Sequence, residues 1–287
     1  MRLDVFISLN NTGFSRSIIQ KFIKKNGIKV NGKLIKKPHS PIGEEDKVVF
    51  DNKAFESFVD IFTKSKAIIQ EKLDEKAIIY NGKHFFVIEK PPFVRTESLT
   101  VGFFSVHRLD KNTSGVLVIA RDAETQKTLQ RQWQDKKVKK TYLALVKGHL
   151  SPIRGAIEGG IARSGKDRTK MVISSVLNAK KAYTEYEVME YFDKTSLNSK
   201  LTLLKVFPST GRTHQIRVHL AGIGHPVCGD EKYGDATLNK AFLELGLKRQ
   251  FLHAFELQFN DPETKKRTSF KSVLYNDLKL VLDALNP

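Results

Sequence analysis

The chain has 287 residues, 40% of them hydrophobic, and this length favours one large domain plus a small one. Its 49 Lys and Arg residues against 31 Asp and Glu residues give a formal net charge of +18. Solubility alone needs only a modest net charge, so this excess favours nucleic acid as a partner. The single cysteine, Cys228, excludes an internal disulfide, and no apolar run approaches the roughly 18 residues that span a bilayer. Since the N-terminus also lacks a signal-peptide pattern, the sequence predicts a soluble cytoplasmic protein.

The first 50 residues have the pattern of a separate small domain. The apolar residues of segment 15–25 fall on one face of a predicted helix, and Asn31-Gly32 between two short alternating segments predicts a hairpin. No acidic residue occurs between Ser15 and Lys37, but eight basic ones do: Arg16, Lys21, Lys24, Lys25, Lys29, Lys33, Lys36 and Lys37. Helix and hairpin therefore indicate a surface that contacts phosphates, with a merely solvated basic face as the alternative.

Four stretches of this segment resemble an S4 RNA-binding domain: RLD at 2–4, SRSIIQKFIKK at 15–25, IKVNGK at 28–33 and GEEDKVVF at 43–50. The resemblance implies that residues 1–50 are a small S4 (α-L) domain that binds RNA. Residues 51–75 lack Gly and Pro and mix charged with apolar residues, which predicts a linker with some helical character.

From residue 76 onward the pattern becomes rich in strands. A hairpin is predicted around Asn81-Gly82, and a helix is predicted from Asp122, as its cap, to Trp133. Further strands are predicted at 116–120, 141–146, 183–188 and 201–207. Hairpins with interspersed helices favour an α+β domain over residues 76–287, built on a mixed, mostly antiparallel sheet.

The segment HRLDKNTSG at 107–115 contains one carboxylate, Asp110, among basic side chains. The segment stands directly before the apolar run 116–120. A carboxylate entering a buried region is destabilised unless a cation or several donors compensate its charge. Asp110 is therefore either the cap of a turn, through the backbone of Thr113 or Ser114, or a nucleophile or base kept ionised beside a cation. Spacing alone leaves both interpretations open.

A second polar segment, STGRTHQIRVHLA at 209–221, follows the strand predicted at 201–207. Thr213 is a plausible N-cap for a helix that runs to about Ala221, and this helix places Arg217 at the border between core and cleft. Arg217 either extends over the helix surface or pairs with a buried carboxylate, for which Asp110 is the strong candidate.

Four potential metal ligands in this region do not form a recognisable site. The spacings between them match no compact zinc template, and the sequence contains no Gly-rich phosphate-binding loop. We therefore expect neither a metal nor a nucleotide cofactor, although the region contains His214, His219, His225 and Cys228.

Several long motifs resemble those of the RluA family of pseudouridine synthases, and together they span nearly all of residues 77–260. They are FFVIEKP (85–91), HRLDKNTSGVLVIA (107–120), KKTYLALVKG (139–148), RSGKDRTKM (163–171), GRTHQIRVHLAGIGHPVCGDEKYG (211–234) and LHA (252–254). The resemblance implies that residues 76–287 form a pseudouridine synthase catalytic domain with flanking helices, and an N-terminal S4 domain is common in this family.

The resemblance also implies roles for single residues. Asp110 corresponds to the catalytic aspartate, Tyr142 to the tyrosine that stacks on the target base, and Arg217 to the arginine that pairs with the aspartate. Leu252 resembles the aliphatic residue that lines the base pocket, and Arg108 an arginine that helps to replace the flipped base in the stack. The predicted RNA-binding residues are Arg108, Arg16, Lys21, Lys24, Lys25, Lys33, Lys36, Lys37 and Arg212.

The implied reaction turns uridine into pseudouridine, with large-subunit ribosomal RNA as the expected substrate. No atom or electron enters or leaves, so no cofactor is required, and Asp110 either attacks C1′ or removes a proton from C2′. Thr113-Ser114-Gly115 is interpreted as the rigid turn that delivers Asp110 to the end of strand 116–120.

Three other functions remain as alternatives. They are a tRNA-directed pseudouridine synthase, a non-catalytic RNA-binding assembly factor with the same fold, and a glycoside hydrolase. The last normally needs a second carboxylate as the acid, for which only Glu89 and Asp230 lie near the motifs.

The chain departs from the family pattern in one loop. Lys90-Pro91-Pro92-Phe93 replaces the usual KPAG, and only 15 residues separate Pro91 from His107 where the family has several tens. We expect this short loop to alter substrate choice more than chemistry.

Overall fold

The computed structural model describes residues 1–10, 16–59, 77–100, 102–176, 179–193, 197 and 199–285. The chain forms two compact units that interleave in sequence. The first consists of residues 1–86, 96–108 and 118–130, and the second of residues 87–95, 109–117 and 131–287.

The N-terminal part of the first unit contains helices α1 (Leu3–Asn10), α2 (Arg16–Asn26) and α3 (52–59) and a three-stranded sheet. The strands β1 (Ile28–Val30), β2 (Lys33–Ile35) and β3 (Val48–Val49) lie in the order β2-β1-β3. Asn31 and Gly32 have φ values of 51° and 78°, which confirms the predicted hairpin turn. Thr12 and Ser15, either of which the sequence offers as the N-cap of the helix predicted in segment 15–25, lie outside the described residues.

The apolar face predicted for α2 is buried in a core of its own. Phe22 lies 5.0 Å from Phe55 and 5.4 Å from Phe58, measured between ring centroids, in edge-to-face arrangements. Ile19 and Ile23 are fully buried in the same cluster. Helix α3, within the segment predicted to be a linker, therefore contributes to this core, whereas residues 60–75 of that segment lie outside the described part.

The remainder of the first unit contains β4 (Ile78–Asn81), the start of β5 (Phe85–Lys90), α4 (Thr96–Leu99), β6 (Phe104–Ser105), the end of β7 (Ser114–Ala120) and most of α5 (Ala123–Gln134). Strands β5 and β7 each have residues in both units. Helix α5 begins as predicted, because the Asp122 side chain accepts a hydrogen bond of 2.7 Å from the backbone N–H of Thr125.

The second unit is built on a mixed sheet. Besides part of β7, it contains the strands β8 (Lys139–Lys147), β9 (Arg154–Arg163), β10 (Met171–Ile173), β11 (Lys180–Phe192), β12 (Leu201–Pro208), β13 (Leu252–Asn260) and β14 (Arg267–Lys271). They lie in the order β10-β9-β11-β12-β8-β13-β7, and β14 pairs with β13. Among the described registers of this unit, β13–β7 is parallel and the others are antiparallel. The predicted α+β class with a mostly antiparallel sheet is confirmed.

Both faces of the central strands are buried. Alternate residues of β8 and β12 enter two different apolar clusters, since side chains of a strand point alternately to opposite faces. Leu145 and Leu203 pack with residues of α7 (Ala236–Glu244) and α8 (Asn276–Leu285). Val146 and Leu204 pack with residues of α6 (Gln215–Gly222). Burial on both faces explains the nearly continuous apolar runs in these strands.

Candidate active site

Asp110 lies in a turn that ends where β7 begins. The backbone N–H of Thr113 donates to the Asp110 carbonyl at 3.1 Å, and Ser114 and Gly115 already pair with β13 in parallel register. The interpretation of Thr113-Ser114-Gly115 as the turn was therefore wrong, because pairing with β13 draws Ser114 and Gly115 into the strand. Gly115 has a φ of 117°, and a Cβ there would lie 2.2 Å from the carbonyl oxygen of Ala254. Glycine is thus required at this close approach.

Arg217 brings two carboxylates together. Its Nη1 donates to Asp110 Oδ2 at 3.0 Å, while its Nε and Nη2 donate to the two oxygens of Asp230 at 2.6 and 2.7 Å. The predicted pairing of Arg217 with Asp110 is confirmed. The sequence reasoning missed Asp230 as the second partner, although its position one residue beyond the apolar Val227-Cys228 pair, after Gly229, was a signal of a buried carboxylate.

The two carboxylates differ in exposure. Asp230 is fully buried, whereas the side chain of Asp110 keeps 20% of its surface exposed. Burial alone would lower the pKa of Arg217, but the hydrogen bonds and charge of Asp230, and then the charge of Asp110, outweigh it and raise this pKa above its ordinary value. Arg217 is thus a permanent cation between a structural carboxylate and an accessible one.

Tyr142, the candidate for stacking on the base, and Leu252, the candidate for lining the base pocket, lie on neighbouring strands. Tyr142 of β8 is opposite Ala254 of β13, and Leu252 is opposite Ala144. Leu252 is buried in the cluster against which Tyr142 packs. Burial, and next the nearby charge of Asp110, raises the pKa of Tyr142 well above its ordinary value. The phenol is therefore neutral at physiological pH, and it lies close enough to Asp110 for the carboxylate to affect it.

The loop before α6 is organised by Gln215, which is almost fully buried. Its Oε1 accepts from Thr210 Oγ1 at 2.6 Å and from the Arg212 N–H at 3.0 Å, and its Nε2 donates to the Tyr183 carbonyl at 2.9 Å. The prediction that Thr213 caps α6 was wrong. His214 occupies the cap position with no side-chain cap bond, since the Gln215 amide satisfies the polar groups of the preceding turn.

Two buried cations hold the turn that contains Asp110. Lys90 donates from Nζ to the carbonyl of Lys111 at 3.1 Å, and Arg249 donates from Nη1 to the carbonyl of Asn112 at 3.1 Å. Both side chains are fully buried. The carbonyl groups of the two residues that follow Asp110 therefore each accept a charge-assisted hydrogen bond.

Each of these cations is itself fixed. Lys90 also donates to the carbonyls of Pro91 and Val94 at 2.7 and 2.8 Å. Arg249 makes a two-point ion pair with Asp277 of α8 at 2.6 and 2.9 Å. Helix α8, near the C-terminal end of the chain, is thereby linked to the position of Asp110.

The predicted RNA-binding residues are spread over both units. Arg16 pairs with the buried Asp4 at 3.0 Å, and Lys21 is half-buried. Arg108, in the first unit, is exposed and lies 3.9 Å from Glu97. The other members of the set are exposed in their respective units: Lys24, Lys25, Lys33, Lys36, Lys37 and Arg212. Their contact with RNA stays a prediction.

Within the described ranges, no three His, Cys, Asp or Glu side chains are grouped so that they could hold a metal ion. No helix in those same ranges is both long enough and apolar enough to cross a membrane.

Both parts of the chain match known protein families. Residues 84–222 match the family model described as RNA pseudouridylate synthase, and residues 1–48 match the S4 domain model. The chain is 35% identical to an uncharacterized RNA pseudouridine synthase from Aquifex aeolicus (strain VF5), in an alignment that covers 95% of this chain and 92% of that protein. The chain belongs to the RluA family of RNA pseudouridine synthases.

Two other relatives of this RluA-family enzyme have names that specify the large ribosomal subunit. It is 32% identical to ribosomal large subunit pseudouridine synthase D from Borreliella burgdorferi (strain ATCC 35210 / DSM 4680 / CIP 102532 / B31), over 99% of this chain and 94% of that protein. It is 31% identical to ribosomal large subunit pseudouridine synthase C from Haemophilus influenzae (strain ATCC 51907 / DSM 11121 / KW20 / Rd), over 99% of this chain and 91% of that protein.

Solved structures share the fold of this RluA-family enzyme. Human RNA Pseudouridylate Synthase Domain Containing 4 matches with a TM-score of 0.62 at 26% identity, over 78% of this chain and 98% of that one. Human RNA Pseudouridylate Synthase Domain Containing 1 matches with a TM-score of 0.58 at 28% identity, over 73% of this chain and 94% of that one.

Proposed function

We propose that this enzyme converts uridine in large-subunit ribosomal RNA to pseudouridine, with Asp110 as its catalytic residue. The observation that carries the proposal is the partly exposed Asp110 carboxylate, bound by the buried Arg217 and close to the neutral phenol of Tyr142. This arrangement provides one charged group and one aromatic face, which are the two elements that an isomerisation at a nucleotide requires.

The reaction breaks the N1–C1′ bond of uridine, rotates the detached uracil, and joins C5 to C1′, while C5 loses its proton and N1 gains one. The target base must first leave the stack, at a cost of a few kcal/mol. Asp110 attacks C1′ as the N1–C1′ bond breaks and leaves again when C5 attacks C1′, or it removes a proton from C2′ and returns it when C5 attacks C1′. Tyr142 and Leu252 hold the uracil ring between bond cleavage and rejoining, and keep water from C1′.

The geometry argues against the chemistry of a glycoside hydrolase. Such an enzyme needs a second carboxyl group that donates a proton to the leaving group. Asp230 is fully buried, and both of its oxygens accept hydrogen bonds from Arg217. Glu89 accepts a hydrogen bond from Ser272 Oγ. Neither carboxylate is therefore placed as a free acid beside Asp110.

The choice of ribosomal RNA is supported by two features. Two relatives that align over nearly the whole chain are named as large-subunit ribosomal enzymes. The formal charge of +18 and the S4 match at residues 1–48 also suit a large structured RNA. We place the reaction in the cytoplasm, and transfer RNA is the substrate that the experiment below must distinguish.

We also propose where the RNA is bound. Residues 1–50 act as the S4 RNA-binding domain, residues 51–75 as a linker whose first part, α3, packs into the core of that domain, and residues 76–287 as the catalytic domain. Arg108, two residues before Asp110 in the chain, takes the place of the flipped base. The remaining contacts to phosphates come from Arg16, Lys21, Lys24, Lys25, Lys33, Lys36, Lys37 and Arg212.

The test is an Asp110→Ala variant in cells from which the gene has been deleted. Because the carboxylate is required for chemistry and not for binding, we expect the pseudouridine at the target to be absent while the variant still binds RNA. Pseudouridine mapping across all cellular RNAs measures the first outcome, and a binding titration measures the second. Asp193→Ala, which removes an exposed aspartate, should restore modification fully.

Three results would contradict the proposal in different ways. Modification that appears only in transfer RNA would overturn the substrate. Full modification by Asp110→Ala would overturn the catalytic residue. Unchanged maps with and without the wild-type protein would overturn its action on cellular RNA.

A further inference from the structure

His214, within GRTHQIR, has an unusual backbone conformation beside the proposed catalytic group. Its φ and ψ are 56° and 19°, in the left-handed region that residues other than glycine adopt uncommonly. The side-chain hydrogen bonds of Gln215 determine the path of the preceding turn and so maintain this conformation. Backbone conformations of this kind persist where the surroundings fix them, and they cluster at functional sites.

A hydrogen-bond chain runs from the backbone of Met171 through Tyr233 to the ring of His214. The backbone N–H of Met171 lies 2.8 Å from Tyr233 Oη, and it can only donate. Tyr233 Oη therefore accepts there, and its single proton is available for His214 Nδ1, which lies 2.8 Å away. When the hydroxyl donates to Nδ1, a neutral ring carries its own proton on Nε2.

His214 Nε2 lies 3.9 Å from Asp110 Oδ2, the oxygen to which Arg217 Nη1 donates at 3.0 Å. The other oxygen, Oδ1, accepts no hydrogen bond from the part of the chain that the structure describes. A distance of 3.9 Å is too long for a hydrogen bond. Such contacts are often long in the free enzyme and shorten in the complex with substrate.

The surroundings of His214 favour its neutral form. Burial lowers its pKa, and of the neighbouring charges Asp110 opposes this effect while Arg217 and Lys232 add to it. The ring therefore presents an Nε2–H donor, and not a second full charge, to the carboxylate.

We propose that His214 is a positioning residue of this enzyme: in the complex with RNA its Nε2–H donates to Asp110 Oδ2. Two donors, His214 and Arg217, then bind Oδ2, which directs Oδ1 towards the ribose of the target nucleotide. The inference rests on the function proposed above and adds a specific donor to it. Tyr233 acts through His214, because a hydroxyl that donates to Nδ1 keeps the ring proton on Nε2.

Two substitutions separate this role from a purely structural one. Asparagine tolerates the left-handed conformation and can still accept from Tyr233, but its amide is too short to reach Asp110. Glutamine is longer and can place an amide N–H near the position of Nε2. His214→Asn is thus the backbone-matched variant without the donor, and His214→Gln restores the donor.

The experiment measures single-turnover rates and RNA dissociation constants on an unmodified large-subunit rRNA transcript, for the wild type, His214→Asn, His214→Gln and Asp110→Ala. We expect His214→Asn to lower the rate about 10- to 100-fold, the usual effect of a hydrogen bond to a charged group, with the dissociation constant unchanged. His214→Gln should recover a large part of this loss. A structural role would instead change RNA binding and thermal stability together with the rate.

The outcomes also separate this inference from the proposed function. Equal rates for His214→Asn and the wild type overturn the inference alone, and so does a His214→Gln variant that is no faster than His214→Asn. A wild-type enzyme that forms no pseudouridine in the transcript overturns the proposed function and the inference with it.

Discussion

Arg217 contacts two carboxylates that contribute differently to the site. Asp230 is fully buried and accepts hydrogen bonds from two of the three guanidinium nitrogens, so that it fixes the plane of the group. Asp110 accepts a hydrogen bond from the third nitrogen and keeps part of its surface exposed. A buried cation with no carboxylate beside it would be strongly destabilising. Asp230 therefore compensates Arg217 even when Asp110 is engaged with substrate.

At this scale we predict that Asp230→Asn damages both stability and catalysis. The substitution leaves Arg217 buried with only Asp110 as counter-charge, and the guanidinium then moves towards Asp110. The free energy of unfolding should fall by roughly 3 kcal/mol, as for other broken buried ion pairs. Urea denaturation measures this loss, and single-turnover kinetics should show a slower reaction.

The matched control for Asp230→Asn is Asp193→Asn, at an exposed position where ion pairs contribute little. It should leave both quantities unchanged. Wild-type stability in Asp230→Asn would show that Asp110 alone suffices to compensate Arg217.

At the scale of elements, the parallel pair β7–β13 connects the turn of Asp110 with the strand of Leu252. The link is reinforced by His253, whose Nδ1 lies 2.9 Å from Ser114 Oγ. His253 is fully buried, and its Nε2 faces the carbonyl of Ser272 at 3.5 Å. The histidine of the LHA motif thus stabilises a strand pair and does not face the reaction.

We predict a pH dependence of stability from this histidine. Burial lowers the pKa of His253 to about 4, against roughly 6.5 in the unfolded chain. Between these values the unfolded chain binds more protons, so the free energy of unfolding falls as the pH falls from 6.5 to 4, by on the order of 3 kcal/mol at most. The full contribution is present above pH 6.5.

The measurement is urea denaturation of the wild type and His253→Gln at several values of pH between 7 and 4. The carboxylates titrate in both proteins, so the difference between the two curves isolates His253. A difference that does not change with pH would show that this residue is not the titrating group.

At the scale of the whole molecule, the positive charge is carried by both units, and exposed lysines are concentrated in the N-terminal hairpin and the residues after it. Contacts between lysines and phosphates release counterions, so each contact contributes to the dependence of binding on salt. The proposed role of residues 1–50 therefore has a quantitative consequence for the full-length protein.

We predict that Lys33→Gln combined with Lys36→Gln lowers the salt slope of RNA binding by about 1.4 to 1.8, that is, by nearly one for each lost phosphate contact. The slope is obtained from dissociation constants at several salt concentrations. Lys240→Gln combined with Lys279→Gln, at exposed positions of α7 and α8, removes the same charge and should change the slope less. Equal slopes for the two variants would contradict a specific role for the hairpin.

The sequence by itself determined the features that depend on local pattern. The apolar face of α2, the Asn31-Gly32 turn and the Asp122 cap were predictable, because each depends on residues close together in the chain. The motifs that resemble the RluA family also identified Asp110, Tyr142 and Arg217 as the residues to examine. Periodicity and spacing alone left Asp110 undecided between a turn cap and a catalytic group.

Only the tertiary structure showed what surrounds these residues. Asp230 accepts hydrogen bonds from two of the three guanidinium nitrogens of Arg217, Lys90 and Arg249 donate to the carbonyls of Lys111 and Asn112, and His214 Nε2 lies 3.9 Å from Asp110 Oδ2. The predicted cap at Thr213 failed because the Gln215 amide bonds to Thr210, to the Arg212 N–H and to the Tyr183 carbonyl of β11, and so satisfies this turn in place of a cap. The contacts made by Lys90, Arg249 and His214 join residues at least 21 positions apart, so their geometry exists only after the sheet has assembled.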